Sequence, residues 1–150
     1  MLELEHEDAN TIASLFHVVS DLERIGDHAM NIAEEKEKYI RDQNKFSNDA
    51  FDEIKDIADE TRKNIIAAID MIKDNECDMN KLIAIEEREM NIDTKTELYK
   101  NNHIMRLNRE ECDVYAGIIF TKILTDLERI ADHANNIAKS NKYKKMINSI

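Results

Sequence analysis

The chain has 150 residues, 42% of them apolar and 35% charged, and carries a formal net charge of −11 at neutral pH. That length suits one buried core, and that charge repels a nucleic-acid backbone and an anionic lipid surface alike, which argues against both as partners and favours cations or basic protein surfaces. With no proline and two glycines, Gly26 and Gly117, the turn chemistry of a sheet-rich fold is missing and an all-α fold is expected.

Four stretches carry helical periodicity, with apolar or small residues alternately three and four apart. The first runs from about residue 3 to 39 and puts Leu15, Val18, Leu22, Ile25, Ala29 and Ile32 on one stripe. The second begins at Ser47, a suitable N-cap, and carries Phe51, Ile54, Ala58, Thr61, Ile65, Ala68 and Ile72 to about residue 74. The third, about 78 to 106, is weaker, because its stripe of Leu82, Ile85, Glu89, Ile92, Thr96 and Tyr99 includes a carboxylate and a hydroxyl. Glu89 is read as a residue at the bundle edge, ahead of a partly buried carboxylate with a shifted pKa, and is given no role. The fourth, about 113 to 141, aligns Ala116, Phe120, Ile123, Leu127, Ile130, Ala134 and Ile137, the clearest stripe of the set.

The connectors, residues 41–46, 74–78 and 107–112, are polar and as short as those between antiparallel bundle neighbours. The expected architecture is one elongated up-and-down bundle of four long helices, spanning about 40 to 55 Å at about 1.5 Å per residue. The Lys/Asn-rich stretch 139–145 is the one tail-like segment. Cys77 and Cys112 lack metal or redox spacing and suit a reducing compartment. Apolar runs as short as Ile118-Ile119-Phe120 do not insert in a bilayer, and the acidic start from Met1 to Asp8 does not resemble a signal peptide. A cytoplasmic location is expected.

The segment from Asp21 to Ala33 recurs from Asp126 to Ala138 with eleven of thirteen positions identical, so the first and fourth helices derive from an internal duplication. Glu23, Asp27 and Asn31 stand at i, i+4 and i+8 on one helix, as do Glu128, Asp132 and Asn136 on the other. Each row lies away from its apolar stripe and is rich in oxygen, a surface for hard or borderline cations. His28 and His133 sit beside the rows as nitrogen ligands or as partners of ligands. A solvated acidic face would look the same in one copy; its repetition alongside the core positions is what favours chemistry. Gly26, opposite Ala131 in the repeat, is read as a small residue where helices pass closely.

The pattern Asp-Leu-Glu-Arg-Ile-x-Asp-His-Ala-x-Asn-Ile-Ala, present twice, resembles the signature of PhoU domains. With Val18-Val19-Ser20 before it, the chain looks most like the version at the cytoplasmic C-terminus of bacterial sodium/phosphate cotransporters, and the likeness extends through Ile85 to Glu89 and His103 to Leu107. The resemblance implies paired three-helix bundles, association with a phosphate transporter or phosphate-signalling proteins at the inner face of the cell membrane, and multinuclear clusters of iron or zinc. Glu23 with Asp27 and Glu128 with Asp132 match the family's ligand pairs, and Asn31 and Asn136 follow in register. The family has six helices, whereas four are visible here, beginning with what looks like the third. The stripe from Leu15 to Ile32 then needs burial, in a four-helix arrangement or against a second copy, and a homodimer is expected.

Three functions compete. The first is a regulatory module of phosphate uptake with metal on its carboxylate rows. A metal-free acidic helical adaptor docking a basic protein is the alternative. A di-iron carboxylate enzyme needs two inward Glu-x-x-His motifs, and only Glu3 with His6 offers one. No nucleophile has a spaced base, so an enzyme is not expected.

Overall fold

The computed structural model describes the backbone of residues 2–73 and 78–147, and the side chains of residues 9–73 and 78–140. The side chains of Glu3 and His6, residue Cys77 with its connector from 74 onward, and the side chains of 141–145 lie outside the described residues. The chain forms four helices, α1 (Leu2–Arg41), α2 (Asn48–Lys73), α3 (Met79–Asn108) and α4 (Val114–Ile147), with no strand among the described residues. At 40 residues α1 is about 60 Å long, longer than its apolar pattern indicates. None of these helices is long and apolar enough to cross a membrane.

Local chemistry accounts for the helix ends. Ser47 Oγ accepts the Ala50 N–H at 3.2 Å, capping α2 as expected. The Asp78 carboxylate accepts the N–H groups of Asn80 and Lys81 at 2.9 and 3.3 Å, capping α3. Replacing Asp78 by alanine should lower stability by about 1 kcal/mol. Thermal melting of the variant checks this, and a melting point unchanged within error would mean that the cap is dispensable. Gln43 and Glu110 take φ of 53° and 58°, left-handed positions just beyond α1 and α3 that a chain this poor in glycine fills with ordinary side chains.

Packing departs from a symmetric four-helix arrangement. Helices α2, α3 and α4 form a three-helix bundle, and α1 lies along the outer side of α4, packing on no other helix among the described residues. One apolar cluster gathers Ile57, Ile92, Phe120 and Leu124, and a second gathers Met71, Leu82, Ile85 and Ile137. Helix α4 is central: every residue of its predicted stripe is buried. The α1 stripe is only half covered, with Val18, Ile25 and Ile32 partly buried and Leu15, Leu22 and Ala29 exposed. In α2 the buried line is rotated by about one residue from the predicted stripe, through Ala50, Ile57, Thr61, Asn64, Ala68 and Met71, leaving Phe51 and Ile72 exposed. Asn64 explains the slip. It is fully buried because its amide donates to the Ile85 carbonyl at 3.3 Å and accepts from Arg88 at 3.0 Å, so a polar residue serves as core.

The two glycines behave oppositely. A Cβ on Gly117 would strike the His103 ring, so glycine there permits the close approach of α3 and α4. At Gly26 a Cβ would meet nothing within 4 Å among the described residues. The expected close helix passage at Gly26 is therefore not found within one chain, because α1 has a neighbour on one side only.

Candidate functional site

The duplicated motif first builds a joint between α1 and α4. Its Asp and His are seven residues apart, two turns along one helix face. Antiparallel helices bearing the same motif therefore set the Asp of each opposite the His of the other. His28 Nδ1 lies 2.7 Å from Asp126 Oδ1, and His133 Nδ1 lies 2.9 Å from Asp21 Oδ1. The two imidazoles stack between these pairs with centroids 5.7 Å apart. Because each carboxylate only accepts, each Nδ1 carries the proton and donates it. The histidines read as lying beside the metal rows thus have one ring nitrogen committed to the partner helix. Asp21 and Asp126, given no role from sequence, are what they bind; their i, i+7 spacing to the histidines was the available signal.

The row on α4 meets a matching pair on α3. Carboxylate oxygens of Glu89, Asp93 and Asp132 all lie within 4.8 Å of one another. Burial, the hydrogen bond with Asp132 and the charges of Asp93 and Asp132 push the Glu89 carboxyl up to about 7. Burial, with the charges of Asp132 and Glu128, raises Asp93 as well. Glu128, half-buried, is one turn from Asp132 and pairs with Lys100 at 3.4 Å, while Lys139 pairs with Glu86 at 3.5 Å. Two lysines therefore flank the acidic cluster and hold its edges. Glu89, read from the sequence as a residue at the bundle edge, therefore lies half-buried within a carboxylate cluster between α3 and α4. Glu89 and Asp93 repeat the Glu-x-x-x-Asp spacing of Glu23 with Asp27 and Glu128 with Asp132, a signal hidden because the surrounding text of α3 does not repeat.

The row on α1 has no such complement. Glu23 and Asp27 are exposed, and no described helix faces them. Asn31 and Asn136 both leave the rows for the grooves between α1 and α4. Asn31 Nδ2 donates to Asp126 Oδ1 at 3.3 Å beside a groove of about 370 Å³ lined also by Glu34, Thr121 and Lys122. Asn136 lines the counterpart groove of about 600 Å³ with His17, Asp21 and Ser140. At about 100° per residue, a position eight residues on has turned about 80°, which carries the amides off the carboxylate row. Of the six predicted ligands, the fold brings Asp132 into a cluster with Glu128 beside it, leaves Glu23 and Asp27 facing outward, and sets the two asparagines at the α1–α4 grooves.

A cysteine–histidine contact also forms that the sequence did not disclose, with Cys112 Sγ 3.8 Å from His103 Nδ1. Burial pushes the thiol up, and burial with the nearby Arg106 charge pushes the imidazole down. Both shifts favour the neutral pair, the opposite of a thiolate activated by imidazolium.

The oxygen-only donor set of Glu89, Asp93 and Asp132, with one proton held above the ordinary carboxylate range, fits a hard or borderline cation that would displace that proton. The family model described as PhoU domain matches residues 1–35 and 54–140. No curated protein and no solved structure matches the chain.

Proposed function

The chain belongs to the PhoU domain family, and from that premise we propose that it is a regulatory domain of phosphate homeostasis that acts on a phosphate transporter, or on its signalling partners, with a cation held between α3 and α4. The observation that carries this reading is the convergence of Glu89, Asp93 and Asp132 from two helices onto one point. Glu128, one turn from Asp132, would extend the site to a second ion. An all-oxygen set suits iron ahead of zinc, which prefers nitrogen and sulfur ligands in structural sites. Bound metal would supply the positive charge that the carboxylates lack, so an anion such as phosphate would be approached through metal and not by the acidic surface itself. The protein's part is to hold the carboxylates together against their repulsion, and Lys100 and Lys139 temper the surrounding charge. The cytoplasmic face of a sodium/phosphate cotransporter is the setting we propose, on the resemblance of Val18 to Ala33 to that version of the family.

The test is elemental analysis and anaerobic titration with ferrous iron and zinc, comparing the chain with two variants. Glu89→Gln/Asp93→Asn/Asp132→Asn should abolish stoichiometric metal with helicity unchanged, whereas Glu23→Gln/Asp27→Asn should retain it. A native protein that stays metal-free after incubation with both ions would sink the cation reading and leave a metal-free acidic surface docking a basic protein. Loss of metal in the Glu23/Asp27 variant alone would place the site on the wrong helix.

A further inference from the structure

Four residues of α4, Glu128, Asp132, Asn135 and Lys139, follow one another at steps of four, three and four, the spacing of a single seam along a helix. Three of them are tied to α3. Glu128 pairs with Lys100, Asp132 is hydrogen-bonded to Glu89, and Lys139 pairs with Glu86. Asn135, between the last two, therefore faces α3 as well, about one turn from Asp132. It is the most buried of the four, at 5% exposure, and its Oδ1 has no hydrogen-bond partner among the described residues.

A buried amide oxygen left unpaired carries a desolvation penalty that an apolar side chain of the same shape would avoid. The duplication shows that the motif accepts an apolar residue there, because α1 carries Met30 where α4 carries Asn135. Packing alone thus gives no reason for the amide, which stands beside the point where the carboxylates converge. Among the described residues Thr96 Oγ1 is the other buried oxygen without a partner, on α3 one turn beyond Asp93. A threonine hydroxyl in a helix can turn to the carbonyl four residues back, whereas the amide oxygen of a residue that faces a neighbouring helix depends on what that interface holds.

We propose that Asn135 is a neutral fourth oxygen ligand for the cation held by Glu89, Asp93 and Asp132, completing a set of carboxylate and carbonyl oxygens from α3 and α4 that suits hard divalent ions. This rests on the cation reading above and adds a residue to it. Neutrality is the physical reason for an amide here. The three carboxylates already repel one another enough to raise Glu89 to about 7, so a fourth charge would add to that cost in the metal-free chain, whereas an amide adds a donor without charge.

Anaerobic titration with ferrous iron, read by calorimetry, tests this on the full chain and three variants. Asn135→Leu, similar in shape but without the oxygen, should bind iron about tenfold more weakly or worse. Its metal-free melting point should be no lower than the native one, because an unpaired polar atom has been removed. Asn135→Asp should recover the native affinity or exceed it, and Thr96→Val should bind as the native chain does. Native affinity in Asn135→Leu overturns the proposal and leaves the three-carboxylate site standing. So does an Asn135→Asp protein as weak as Asn135→Leu, or an equal loss in Thr96→Val, which would trace the effect to packing. A metal-free Asn135→Leu protein that melts well below the native one also overturns it, since the amide would then be a structural group. A native chain that binds neither iron nor zinc removes the cation reading itself, and this ligand with it.

Discussion

Replacing Arg106 by alanine is expected to cost about 3–5 kcal/mol of stability, the usual loss when one partner of a buried ion pair is removed. The guanidinium is 7% exposed and grips Glu53 with both terminal nitrogens, at 3.1 and 2.7 Å, tying α3 to α2. It also lies 5.4 Å from the centroid of the Phe120 ring on α4, so one side chain joins all three helices of the bundle. Alanine would leave the largely covered Glu53 carboxylate with Asn102, at 2.8 Å, as its remaining hydrogen-bond partner among the described residues. Urea unfolding measures the loss. The double variant Arg106→Met/Glu53→Gln should recover a large part of it, because removing both charges removes the desolvation cost. A single variant that loses less than about 1 kcal/mol would place this pair with surface salt bridges in its energetic weight.

The second large effect is pH dependence at the carboxylate cluster. Glu89 titrates at about 7 in the fold against 4.5 as its ordinary value. Between those values the native chain holds more protons than the unfolded one, so stability falls as pH rises from about 4.5 through 7 and levels off above. Because the cluster is partly solvated, the loss should be about 1–2 kcal/mol, less than the full shift implies. Urea unfolding from pH 5 to 8 should show this slope in the native chain, and Glu89→Gln should flatten it and be the more stable protein at pH 8. A cation at a hundredfold above its dissociation constant should restore about 2.7 kcal/mol at pH 8, and progressively less as protons compete below pH 7. Identical pH profiles for the native chain and Glu89→Gln would show that the carboxylates do not repel one another as described.

These expectations differ in how far they were legible beforehand. The α4 stripe from Ala116 to Ile137 was readable because each residue is apolar or small and the helix is surrounded, so periodicity and burial coincide. Thr61 and Thr96 are buried on the predicted stripes. Asn64 and Arg106 are also buried, yet neither was legible, because each reaches a partner on another helix that no pattern along its own helix reveals. The cluster around Glu89 was not legible either: its spacing to Asp93 has no repeat around it to mark it, and Asp132 joins the two only through the packing of α3 against α4.

What the amino-acid sequence determined by itself is local and repetitive. Four helices, the Ser47 cap, and the duplication of Asp21–Ala33 at Asp126–Ala138 all follow from spacing and side-chain chemistry within a few turns. Only the tertiary structure decided what each copy of that motif does. On α4 the three-helix bundle buries the apolar stripe and supplies Glu89 and Asp93 to the carboxylate row. On α1 nearly the same letters have α4 on one side and leave the stripe half covered. Two stretches alike at eleven of thirteen positions carry nearly the same propensities, so what chiefly distinguishes them is which helices surround them, a property of long-range packing that no local pattern encodes.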